Sequence, residues 1–137
     1  MKKTVFLMIL VMTVTALCCG AAMAATIPIT ETTTTWTDGN TYLAIGDVTI
    51  SERIQVQGTV TLSLESEATL NVKNGIHVSE GNSLTIEGNG TLNATGGNNQ
   101  AGIGGDKGEA AGAITINSGT VTVHGGQRGA GDRKSVV

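Results

Sequence analysis

The sequence predicts an all-β chain wound as a β-solenoid, and three observations carry that prediction. Short aliphatic-x-aliphatic triplets recur at a fixed step: Val48-Thr49-Ile50, Leu70-Asn71-Val72 and Leu92-Asn93-Ala94 lie twenty-two positions apart. A second series, Ile54-Gln55-Val56 to Ile76-His77-Val78, keeps the same interval, and so does Leu62-Ser63-Leu64 to Leu84-Thr85-Ile86. Three interleaved strand signals with one period of about twenty residues describe a chain that coils and stacks on itself. Aromatics are also scarce, with one Trp, one Tyr and one Phe in 137 residues. A narrow bore filled with Val, Ile, Leu and Ala has little use for large rings.

From the amino end, residues 1–24 read as a signal peptide. Lys2 and Lys3 precede an apolar run from Val5 to Leu17, and Ala22-Met23-Ala24 offers the small residues a signal peptidase recognises, so cleavage is expected after Ala24. The apolar run falls short of the roughly 20 residues that a spanning helix needs. Cys18 and Cys19 lack the small preceding residue that lipid attachment requires, and both leave with the peptide. The mature chain then has no cysteine, which excludes a disulfide scaffold despite the expected export. Removing Lys2 and Lys3 leaves six Lys and Arg against eleven Asp and Glu, a net charge of −5. That acidity argues against a nucleic-acid partner.

Residues 25–45 form an extended, Thr-rich lead-in and an amino-terminal cap, in which Trp36 and Tyr42 flank an Asp38-Gly39-Asn40 turn. The two rings are expected to close the bore; a sugar-stacking platform is the rival use and makes both candidate ligand-binding residues. Residues 46–131 are the solenoid proper. In each triplet the outer pair faces the bore, and Thr49, Gln55, Ser63, Asn71, His77 and Thr85 take the outward slot. Gly and Asn occupy the corners, where the backbone turns sharply. The 22-residue step would also stack Glu65 on Glu87.

The pattern changes after Ala94. Residues 95–112 are rich in glycine with one large aliphatic, Ile103, and strand signals return at Ile114-Thr115-Ile116 and Val121-Thr122-Val123. Aligning Leu84 with Ile114 and Leu92 with Val121 lengthens the period to about thirty. The expectation is an insertion bulging from one corner, with Ile103 keeping the inward place of the Ile54 and Ile76 series. Such a loop costs little entropy and is where function would sit. Within it, Asp106 and Glu109 are candidate ligand-binding residues. Residues 119–131 echo 90–102 position for position, and then the copy breaks at Asp132. Residues 132–137 are accordingly expected to be a non-native tail, with the native coding sequence continuing beyond Gly131.

Ala101-Gly-Ile-Gly-Gly105, then Ala113-Ile-Thr-Ile-Asn-Ser-Gly-Thr-Val-Thr-Val123 and Gly125-Gly126, resemble the repeat of large bacterial secreted and cell-surface proteins that form a right-handed parallel β-helix. The resemblance spans roughly residues 36–131. It implies a long extracellular rod carried by a downstream anchor, while the three interleaved series themselves give three strands per rung and about three rungs behind the cap. More distantly the coil is similar to the pectate-lyase-like superfamily, which holds both polysaccharide-active enzymes and adhesins.

The acids give little sign of catalysis: Asp47, Glu52, Glu65, Glu67, Glu80, Glu87, Asp106 and Glu109 are spread along the coils instead of clustering. Gly104-Gly-Asp-Lys-Gly-Glu109 departs from the calcium nonapeptide, with Lys107 in a glycine slot and no tandem copy. His77 and His124 have no Cys or second His at ligand spacing, and the glycines fit neither dinucleotide nor P-loop spacing. The expectation is therefore a non-enzymatic extracellular scaffold or adhesin-like segment with no cofactor and no metal. Its partner would be an extracellular polysaccharide or a host-surface polymer. The alternative is a polysaccharide-binding or pectate-lyase-like module.

Overall fold

The computed structural model describes residues 24–126. The expected signal peptide, the end of the 119–131 echo and the tail at 132–137 lie outside the described residues. Thirteen strands and no helix make up the described chain, and every strand pairing is parallel. The fold is a parallel β-helix. A short lead-in contributes β1 (Thr26–Pro28) and β2 (Thr35–Trp36). Three full coils follow: β3 (Thr41–Ala44), β4 (Asp47–Ile50) and β5 (Ile54–Val56); β6 (Thr59–Leu64), β7 (Thr69–Val72) and β8 (Ile76–His77); β9 (Ser83–Gly88), β10 (Thr91–Thr95) and β11 (Ile103–Gly104). A last partial coil adds β12 (Ala113–Ile116) and β13 (Thr120–His124).

Stacking these coils builds three walls. The first wall runs β1-β3-β6-β9-β12, the second β4-β7-β10-β13 and the third β2-β5-β8-β11. Alternation along each strand sends one set of side chains inward, and those are the aliphatic residues that recur in the sequence. Ile50, Ile54, Leu62, Leu70, Ile76, Leu84, Leu92 and Ile103 are all buried in one continuous apolar core, and among the described residues no polar or charged side chain is buried with them. Each such side chain contributes on the order of 1.5–3 kcal/mol of burial. The intermediate residues Thr49, Gln55, Ser63, Asn71, His77 and Thr85 point outward as expected.

The 22-residue step holds on the second wall, where Val48 pairs with Leu70 and Leu70 with Leu92, and between Ile54 and Ile76 on the third. The first wall departs from it. There Val60 pairs with Leu84 and Leu62 with Ile86, a step of twenty-four, so Leu62 does not stack on Leu84. The cause lies in the corners: six positions separate Val78 from Leu84, where four separate Val56 from Val60. The next corner compensates, because four residues join β6 to β7 and only two join β9 to β10. Glu87 consequently pairs with Ser63, and the expected Glu65–Glu87 stack does not form.

Trp36 and Tyr42 sit on strands of the helix itself, Trp36 paired with Val56 and Tyr42 with Leu62. Their rings stack at 5.3 Å between centroids and fill the bore at its amino-terminal end. The polar edges are satisfied internally: Trp36 Nε1 donates to the Thr33 carbonyl at 3.1 Å, and the Tyr42 hydroxyl accepts from the Thr37 amide at 2.9 Å.

The glycine-rich segment is two corners, not a single bulge. Residues 96–102 join β10 to β11, and 105–112 join β11 to β12. Ile103 pairs with Ile76 and keeps the inward place on the third wall, while Leu92–Val121 and Leu84–Ile114 pair as the lengthened period requires. Ala101 to Gly105 is buried throughout. Glycine is needed here for close approach: a Cβ on Gly102 would lie 2.6 Å from the His124 carbonyl oxygen, and one on Gly112 would meet that of Asn82.

Candidate functional site

The outward slots of the third wall hold Gln55, His77 and Gly104 in register, one above the other. Gly104 has φ +138°, a backbone state that favours glycine, and it leaves the position beside His77 without a side chain. Into that neighbourhood comes Glu109 from the corner after β11. Its Oε2 lies 3.0 Å from His77 Nε2, while His77 Nδ1 lies 2.6 Å from Gln55 Oε1. The turn carrying Glu109 is held by its own backbone, since the Glu109 amide donates to the Asp106 carbonyl at 2.9 Å and the Asp106 amide donates to Glu109 Oε2 at 3.3 Å.

Asp106 is held in turn by Arg53. This arginine stands at the corner before β5 with a side chain only 10% exposed, and its Nη2 donates to Asp106 Oδ1 at 2.6 Å. Its Nη1 donates to the Asn74 carbonyl at 2.7 Å and the Ala101 carbonyl at 3.3 Å, so one guanidinium spans three coils. Gly75 makes this route possible: a Cβ there would lie 2.9 Å from Arg53 Nη1. Burial pushes the Arg53 guanidinium below its ordinary value, and the Asp106 carboxylate opposes that push. Glu109 is held below the ordinary carboxylate value, first by the hydrogen bond to His77 and then by the Asp106 amide.

The four candidates named from the sequence thus divide. Asp106 and Glu109 are side by side and reach the wall, whereas Trp36 is 0% and Tyr42 3% exposed, so neither ring face is open to a sugar. His77, read as plain surface, is the residue on which the group converges. Arg53 carried no sequence signal beyond a charge beside Glu52 ahead of a strand, and the separation of 32 positions between His77 and Glu109 hides their association. His77, Asp106 and Glu109 place three potential ligand atoms within 4.8 Å of one another, close enough that one metal ion could be held among them. Comparison with protein-family models, curated proteins and solved structures found no match.

Proposed function

We propose that this chain is a non-enzymatic extracellular scaffold, an adhesin-like segment of a bacterial surface protein whose walls face an extracellular polysaccharide or a host-surface polymer. The observation that supports it is the division of labour along every coil. The bore takes only apolar side chains, and the walls present stacked short polar ones, such as Asn93 Nδ2 donating to Asn71 Oδ1 at 2.9 Å on the second wall. A rod of this kind is stiff because each coil is hydrogen-bonded to the next, and it offers a protease few loose segments. Secretion, the bacterial source and a downstream anchor belong to this reading, and its support is the sequence resemblance described above.

A polysaccharide-active module is the second reading, favoured by the meeting of Arg53, His77, Asp106 and Glu109. Against a lyase role, Arg53 spends both terminal nitrogens on Asp106 and on backbone carbonyls, which leaves it poorly placed as a proton acceptor. The two readings separate on a glycan array and a polysaccharide panel. A scaffold releases no unsaturated product from pectin, and any glycan that it binds is lost on changing outward residues such as Asn71 and Asn93. Release of product that stops in H77Q would replace the scaffold reading with the enzymatic one.

A further inference from the structure

We propose that His77, Asp106 and Glu109 form a site for one divalent transition ion of the zinc type, which pins the 105–112 corner to the third wall. Gln55 Oε1 can only accept a hydrogen bond, so the 2.6 Å contact assigns the ring proton to Nδ1. In the neutral ring Nε2 is then a lone pair, and it faces a carboxylate oxygen, another acceptor, at 3.0 Å. Two lone pairs so placed call for a positive body between them: a proton, which makes the His77–Glu109 hydrogen bond described above, or a metal ion in the proton's place.

The surroundings suit the ion. Ligand atoms about 2.0–2.2 Å from a tetrahedral zinc are roughly 3.3 Å from one another, close to the His77–Glu109 spacing. The donor set is one imidazole nitrogen and two carboxylates, which suits zinc and its neighbours; calcium and magnesium prefer oxygen alone. Three protein donors leave a fourth position for water. With the ring neutral, Arg53, Asp106 and Glu109 sum to one negative charge, which favours a dication. Two of the three inner groups also have an outer partner, Gln55 on His77 and Arg53 on Asp106, as metal ligands generally do.

The test is a Zn2+ titration of the untagged full chain by calorimetry at neutral pH, with amide and imidazole NMR as a second readout. The expected result is one ion per chain, with His77, Asp106 and Glu109 signals moving together and the His77 ring reporting coordination through Nε2. H77Q and E109Q should each weaken binding about tenfold or more, whereas H124Q and E87Q, away from the group, should leave it unchanged. Calcium at the same concentration should not compete. No saturable zinc binding, equal competition by calcium, or binding lost in H124Q and kept in H77Q would each overturn the proposal. If H77Q fails to fold, the NMR readout on the unaltered chain decides alone: shifts centred elsewhere would refute the site.

Discussion

Gly81 and Gly88 both turn corners with positive φ, +90° and +104°, yet they carry different burdens. Nothing lies within 4 Å of a Cβ built on Gly81, so Gly81→Ala should cost only the left-handed strain, about 1–2 kcal/mol. A Cβ on Gly88 would collide with the Leu64 carbonyl oxygen of the coil beneath. Gly88 pairs with Leu64 in the first wall, so relief would have to come from the ladder itself. Gly88→Ala should therefore cost about 3 kcal/mol or more, and denaturant midpoints at an unchanged slope would measure the difference. Glu109 makes a prediction of the opposite kind, tied to pH. Its carboxyl is held below its ordinary value of 4.5 because the charged form accepts from His77 and from the Asp106 amide. A depressed carboxylate contributes its stabilisation fully above the unfolded value and loses it as pH falls through the folded one. The 105–112 corner should thus stay docked at neutral pH and loosen below pH 4.5. A carboxyl NMR titration of Glu109 with a midpoint at or above that value would contradict the geometry.

Among elements, the corner after β11 depends on Arg53, a side chain 53 positions from Asp106 in the chain, rather than on its own composition. Arg53 ties Asn74, Ala101 and Asp106 together, and hydrogen bonds to a charged group contribute about 1.5–3 kcal/mol each when buried. Asp106 is 41% exposed, so its share is discounted. Arg53→Ala should cost about 2–3 kcal/mol and speed amide exchange across residues 101–112 while leaving β6 and β7 protected. Lysine should not rescue it, because one ammonium cannot serve the fork of carbonyls and carboxylate together. This element also marks the limit of what the sequence discloses. Inward and outward positions were readable, since alternation is a local property of each strand and Val48, Leu70 and Leu92 repeat it. The shift to twenty-four on the first wall was not, because corners that differ by two residues look alike until pairing decides between them. Nor was the site: Arg53, His77 and Glu109 meet only because the coils stack, and nothing at their spacing in the chain announces it. Asp106 and Glu109 were singled out by composition, and the stacking supplied their partners.

At the scale of the whole molecule, each coil is stabilised by the one above and the one below, so position along the axis sets what a substitution costs. Leu70 has a paired strand on both sides and is fully buried; a charge there, as in Leu70→Asp, should prevent folding. The last coil is different. Ile114, Ile116 and Val121 pack only partly against the core, and among the described residues β12 and β13 are the edge strands of their walls. Amide exchange should accordingly be fastest in β12 and β13 and slow progressively toward β7. Two adjacent parallel edges with half-covered aliphatic residues are also a template for another chain. Sedimentation of the isolated chain should show association that grows with concentration. An inward-pointing charge is the usual protection of such an edge, so Ile116→Lys should reduce the association while costing less stability than a charge at Ile86, its fully buried partner one coil below. A monomer at all concentrations, or equal damage from Ile116→Lys and Ile86→Lys, would mean that the last coil is as well covered as the middle ones and that stability does not fall along the axis.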